Sequence, residues 1–277
     1  MPFVSIPESP LVPGASPVSI HYRSSGDGVP LIFLHGGWGY EIYPFDRQIN
    51  VLGGRFRILI PNRSGYGGST RIDELPTDFH QRAAGEMRSF LDELSIDRPV
   101  LWGHSDGAVI AIMMALNEPG RFTGLILEAF HYYRVKEGSR GFFEAMAQDP
   151  SRFGDRVCST LSREHGEDYW RQLLLLNGNA WLGINHESNH PKQDLYGGRL
   201  SELKPPAIFI HGSRDPRTEP DELKAVAATL PSAILHLVED GGHSPHSESA
   251  ASDETTRVAN RFLEKEVLSK DVLSPES

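Results

Sequence analysis

Val100-Leu101-Trp102-Gly103-His104-Ser105-Asp106-Gly107 carries a G-x-S-x-G pattern at a particular place in the chain. An apolar, β-prone run leads into Gly103, and an apolar stretch from Ala108 to Leu116 follows Gly107 with helix-forming composition. The order is strand, tight turn, helix. A serine on such a turn adopts strained backbone angles that push its hydroxyl out of the chain. Neighbouring backbone then passes close on both sides, so the positions two before and two after must be small, and both are glycine. The helix that starts next offers free N–H groups and a positive dipole end to developing negative charge. A tight turn whose serine merely caps the helix is the plain alternative. The flanking strand and helix favour Ser105 as a nucleophile.

Working outward, similar apolar runs end in turn signals: Leu31–Leu34, Phe56–Ile60, Leu125–Leu127, Ala207–Ile210 and Ala233–Val238. Their nearly continuous apolar character predicts strands buried on both faces, hence a mostly parallel sheet. Helical patterns lie between them, at about Gln81–Leu94, Gly107–Asn117, Asp221–Leu230 and Ser252–Leu268. Alternating units of this kind predict a doubly wound α/β fold. One segment breaks the rhythm. From 132 to 200 no strand-like run occurs, and Phe142, Phe143, Phe153, Tyr169, Trp170 and Trp181 accumulate in what reads as short helices. Lying between two strands, it should emerge at the strands' C-terminal edge, where ligands bind in such sheets. It is read as a cap over a core made of residues 1–131 and 201–277. The tail Ser269–Ser277 is expected to fray.

Three further positions complete a site. His35-Gly36-Gly37-Trp38-Gly39 follows an early strand, and its glycines let backbone approach a substrate. The N–H of Gly37, or else of Trp38, would join that of Asp106 as donors to an oxyanion. Late in the chain, Asp215 follows the strand ending in His211-Gly212, and His243 follows the one ending in Asp240-Gly241-Gly242. A buried carboxylate fixing the tautomer of an imidazole, which in turn takes the serine proton, requires these residue types at neighbouring strand ends. Asp240 and His246 are the spare acid and base. Trp38, Asp106, Phe130, His131, Tyr132 and Trp181 are the candidate substrate contacts. The string His186-Glu187-Ser188-Asn189-His190 spells a zinc motif, but Gly183, Asn185, Asn189 and Pro191 around it predict a loop rather than the helix that chemistry needs. No metal and no cofactor are expected.

Composition sets the outer bounds. The 277 residues carry 27 basic and 37 acidic side chains, a net charge of −10, which disfavours nucleic acid and anionic membranes as partners. A small molecule is the expected partner, and oligomeric state is not legible. The single cysteine, Cys158, excludes an internal disulfide and is read as a packed apolar side chain in a cytoplasmic protein. The N-terminus lacks a basic start and a long apolar run, so no signal peptide is expected.

On these residues the chain resembles the α/β-hydrolase superfamily from about Val18 to Leu268. Besides the serine turn and the His-Gly-Gly turn, Pro61-Asn62-Arg63-Ser64-Gly65-Tyr66-Gly67-Gly68-Ser69 matches the turn after the next strand, with Asn62 where the family commonly has aspartate. The resemblance implies a small helical cap after the sixth strand and hydrolysis through an acyl-enzyme, without cofactor. The reactions it leaves open are ester or lactone cleavage, carbon–carbon bond or amide hydrolysis, and ligand binding without catalysis. Some members use an aspartate nucleophile on epoxides and haloalkanes; the glycine register here favours Ser105 over Asp106. The Ser-Asp-Gly turn ending, with Gly212-Ser213-Arg214-Asp215-Pro216, is similar to the valacyclovirase-like (biphenyl hydrolase-like) branch, which implies amine recognition by Asp106 as one role for that side chain and a packing contact as the other.

Overall fold

A computed structural model describes residues 2–219 and 221–269. Eight strands form one twisted sheet: β1 (Phe3–Ile6), β2 (Val18–Ser25), β3 (Val29–Leu34), β4 (Phe56–Pro61), β5 (Val100–His104), β6 (Gly124–Glu128), β7 (Ala207–Gly212) and β8 (Ile234–Val238). Their spatial order is β1-β2-β4-β3-β5-β6-β7-β8, with the β1–β2 and β2–β4 pairs antiparallel and all later pairs parallel. The helices are α1 (Asp46–Leu52), α2 (Phe79–Glu93), α3 (Asp106–Asn117), α4 (Arg140–Gln148), α5 (Asp155–His165), α6 (Trp170–His186), α7 (Glu222–Thr229) and α8 (Ser252–Phe262), the last continuing as a π-helical stretch to Leu268.

The continuous apolar runs are two interleaved faces. Leu31, Phe33, Ile58, Ile60, Trp102, Ile126, Ile208 and Ile210 join one core, which α8 residues Ala259 and Phe262 close. Ile32, Leu34, Leu59, Leu101, Leu125, Leu127 and Phe209 join the other, under Met87 and Phe90 of α2 and Ile110 and Met114 of α3. Period-2 alternation with both faces covered is why every position is apolar. β8 departs from that expectation. It is the edge strand, and only Val238 is buried while Ile234, Leu235 and Leu237 are exposed. No residue run in its sequence distinguishes it from an inner strand, because the missing neighbour is a property of topology.

From β6 to β7 the chain forms α4, α5 and α6 and no named strand. These helices are not all short, since α6 runs for 17 residues. Phe143 of α4 stacks on Trp181 of α6 with centroids 5.1 Å apart. Gly178 lets the two helices meet, since a Cβ there would lie 2.6 Å from Phe143 O and Ala147 N. α6 ends at His186, so the zinc-like string leaves the helix at its first residue. Cys158 on α5 is half-buried against the main core, as read. Beyond Ser269 the expected frayed tail lies outside the described residues. No described helix is long and apolar enough to cross a membrane.

β3 lies between β4 and β5, so chain connections leave it in opposite directions and open a crevice at the strands' C-terminal ends. The loops that follow β3, β5, β6, β7 and β8 all meet there.

Candidate active site

Ser105 has φ 55° and ψ −120°, outside the usual wells for a residue with a side chain. The turn is held by the Ser105 N–H donating to Glu128 O of β6 at 2.9 Å. Its glycines are compulsory: a Cβ at Gly103 would lie 2.3 Å from Gly107 O, and one at Gly107 2.0 Å from Leu34 O. The strain is thus imposed by strand, helix and neighbouring strand together.

His243 Nε2 lies 3.1 Å from Ser105 Oγ. Its Nδ1 lies 2.9 and 3.0 Å from the two Asp215 carboxylate oxygens. A carboxylate only accepts, so Nδ1 carries the hydrogen and Nε2 is the bare nitrogen facing the hydroxyl. Burial pushes the imidazole down to about 4, and the nearby Arg217 cation acts in the same direction against the raising effect of Asp215. Burial opposes the Asp215 charge, but His243 and His211 outweigh it and hold the carboxyl well below the usual range. At neutral pH the arrangement is therefore a carboxylate, a neutral imidazole and a hydroxyl, in hydrogen-bonded sequence. The spares are engaged elsewhere: His246 Nδ1 bonds Glu128 at 2.8 Å, and Asp240 pairs with Arg214 at the surface.

A second imidazole reaches the same oxygen. His131 Nε2 lies 3.3 Å from Ser105 Oγ, and its buried Nδ1 has no hydrogen-bond partner among the described residues. Burial, then the charges of Lys136 and His243, drive its pKa well below the ordinary value, so the ring is neutral. The single hydroxyl proton is directed at His243, which leaves Nε2–H of His131 as a donor to the serine oxygen.

Asp106 is buried on the other side of the serine. Its Oδ1 accepts from His80 Nε2 at 3.0 Å and Trp181 Nε1 at 3.1 Å. Burial alone would raise its pKa, yet His80, Arg63 and Trp181 lower it overall, while burial leaves His80 neutral. The carboxylate therefore ties α3 to α2 and α6. Asp106 is thus occupied by two donors, whereas Ser105 has the strained φ and the His243 contact.

The His35–Gly39 turn packs against the serine, a Cβ at Gly36 falling 3.1 Å from Ser105 Cβ. Buried Arg63 donates to both His35 O and Gly36 O. From α5, Glu164 accepts the Tyr40 and Glu41 N–H groups at 2.8 and 2.9 Å, and His165 lies 3.1 Å from Trp38 O. Gly67 N–H bonds His165 Nδ1, so Nε2 is the donor to Trp38 O. Backbone polar groups of the turn are thus held from two sides.

A cavity enclosing about 390 Å³ of empty space, part of it open to solvent, lies over these groups. Gly37, Trp38, Ser105, Asp106, His131, Trp181 and His243 line it. Phe130 and Tyr132 do not. Phe130 packs edge-on to Phe209 at 4.8 Å in the core, and Tyr132 contacts Tyr133 and Tyr196 with its hydroxyl near Thr229. The chain turns after β6 so that, of three consecutive aromatic rings, only His131 faces the cavity. Tyr43, Phe142, Phe143, Met146, Asn177 and Arg217 also line it. Phe142 and Phe143 belong to the aromatic-rich segment, whereas Asn177 and Met146 sit in helices with no local sequence signal. No group of three or more His, Cys, Asp or Glu side chains arranged to hold a metal occurs among the described residues.

This fold, with a buried serine–imidazole–carboxylate chain at the sheet's ligand edge, defines a hydrolase of the α/β class. The chain belongs to the alpha/beta hydrolase family, which it matches over residues 31–258. It is similar to the serine hydrolase BPHL of Homo sapiens, with 26% identity across 89% of this chain and 84% of that one. It is also similar to a 2-hydroxy-6-oxononadienedioate/2-hydroxy-6-oxononatrienedioate hydrolase of Burkholderia vietnamiensis, with 25% identity across 92% and 94%. Among solved structures, a thermophilic esterase from Thermogutta terrifontis superposes with a TM-score of 0.71 at 22% identity over 96% and 99% of the two chains. A Bacillus megaterium epoxide hydrolase gives 0.72 at 18% over 95% and 100%. These structures share the fold.

Proposed function

We propose that this hydrolase cleaves a small carboxylic ester or lactone through an acyl-enzyme. The observation that carries the reading is the chain from Ser105 Oγ to His243 Nε2 at 3.1 Å and from His243 Nδ1 to Asp215 at 2.9 Å. In it, His243 removes the hydroxyl proton as Oγ attacks the carbonyl carbon, and Asp215 stabilises the imidazolium that forms. Charge moves onto the carbonyl oxygen, where the N–H groups of Asp106 and of Gly37 or Trp38 would receive it. His243 then protonates the leaving oxygen. Water attacks the acyl group by the same route and restores the serine. Residues 132–200 act as a cap over the cavity. The single, half-buried cysteine fits a reducing compartment such as the cytoplasm.

A second reading is attack of the same serine on a ketone with cleavage of a carbon–carbon bond. The similarity to the Burkholderia vietnamiensis hydrolase favours keeping it. Short p-nitrophenyl esters test the first. We expect turnover by the wild type and a loss of about 10⁶-fold in Ser105→Ala. Undiminished activity in that variant contradicts both readings.

A further inference from the structure

We propose that Arg217 forms an anion subsite and that the substrate carries a carboxylate on the part of the molecule lying beneath Phe142 and Trp38. The inference rests on the proposed hydrolysis, since it concerns what occupies the same cavity. Arg217 leaves the chain two residues after Asp215 and lines the cavity with Ser105, His131 and His243. Its backbone N–H donates to Asp215 Oδ1 at 2.9 Å, which fixes where its side chain starts. Its guanidinium carbon stands 4.0 Å from the Phe142 ring centroid and 5.7 Å from that of Trp38. Those two rings are themselves stacked, 5.3 Å apart. A guanidinium laid on aromatic faces keeps its in-plane N–H donors free for another partner.

No carboxylate among the described residues supplies that partner. Arg217 forms no ion pair with any described residue, although Arg23, Arg71, Arg121 and Arg214 do. The charge is nonetheless felt inside the cavity, where it lowers the pKa of both His243 and His131. The other charged side chain of the lining, Asp106, already accepts from His80 and Trp181. The cavity therefore holds one matched anion and one unmatched cation among its described residues. A flat, forked donor beside apolar rings suits a carboxylate, which it can bind through two parallel hydrogen bonds. Phe142 and Phe143 would cover the apolar remainder. The alternative is a latch in which Arg217 only fastens α4 to the loop after β7, and that role would be indifferent to ligand charge.

The test compares two esters of one shape, mono-4-nitrophenyl succinate and its methyl ester, which differ by a single negative charge. Wild type is expected to prefer the anionic ester in kcat/KM by roughly tenfold or more, mainly through KM, the scale of one charge-assisted hydrogen bond. The preference should shrink between about 0.05 and 0.5 M salt. Arg217→Met should abolish it and Arg217→Lys restore part of it, with circular dichroism verifying the fold of each. A ratio near one in the wild type, or one unaltered in Arg217→Met, overturns the subsite. Calorimetric titration with phenylacetate and phenylacetamide gives a reading without turnover. Tighter binding of phenylacetate that disappears in Arg217→Met supports the subsite even if neither ester is hydrolysed, an outcome that would contradict the proposed reaction alone. Equal binding of the two overturns the subsite.

Discussion

The oxygen of Ser105 sits between two imidazoles that do different things. His243 is oriented by a carboxylate and presents a bare nitrogen. His131 presents an N–H and has no partner behind it among the described residues. Replacing Asp215 by Asn would reverse the His243 tautomer, and kcat should fall by about 10⁴-fold with little change in KM. Replacing His131 by Phe keeps the ring volume and removes only the donor, so kcat should fall roughly tenfold. Steady-state kinetics on one ester checks both, and an unaltered kcat in either variant contradicts the role given to it. In the proposed role of base, His243 works only when neutral. Because its pKa is depressed to about 4, kcat/KM should be on its plateau at pH 6 and decline only as pH falls towards 4. An acid limb centred near 6.5 would mean that burial does not control the ring.

At the scale of elements, the site depends on how loops are fastened. Arg63 enters from the turn after β4 and holds the carbonyls of His35 and Gly36. Arg63→Met should cost about 10²-fold in kcat through a misplaced turn, since a displacement of about 1 Å has that effect, while KM moves little. Glu222, at the start of α7, accepts from the N–H groups of Tyr132 and Tyr133 and from Lys136 at 2.7 Å, with both charged side chains fully buried. Lys136→Met leaves that carboxylate uncompensated and should lower stability by about 3–5 kcal/mol, read by urea unfolding. The parallel strands and the core helices α2, α3, α7 and α8 were legible because an apolar core records itself along an element, whereas the 17-residue α6 was read as part of a run of short helices. β1, β2 and α1 were not legible: β2 mixes Val18 and Ile20 with Ser19, His21 and Arg23, and it pairs with both its neighbour β1 and the distant β4. Ser105, Asp215 and His243 were legible because each follows a strand end in a fixed order. Arg217, Asn177 and Met146 were not, since a cavity wall is assembled from unrelated segments without a shared local pattern.

For the molecule as a whole, buried imidazoles govern the response to acid. Burial lowers the pKa of His35, His80, His104, His131, His165, His211 and His243. A group depressed on folding contributes stability above its unfolded pKa of about 6.5 and loses it as pH falls towards the folded value. Each such ring removes up to about 1.4 kcal/mol per pH unit in that window. Glu86 and Glu164 act oppositely. Burial raises both, Glu164 to about 7, so their contribution is present in acid and fades as pH rises from about 4.5 through the folded value. The imidazoles outnumber them, so stability should fall as pH drops from about 6.5 towards 4, read as a lower midpoint of urea unfolding. A urea midpoint that does not move over that range would contradict the neutral, buried assignment of these rings.

The central claim is that Ser105 is the atom donor in a covalent step. Mass spectrometry of protein quenched in acid during turnover of p-nitrophenyl acetate tests it most directly. The geometry predicts an acetyl group on the peptide bearing Ser105, absent from the Ser105→Ala protein. Turnover with no acyl group on that serine, or with the label on Asp106, would contradict it.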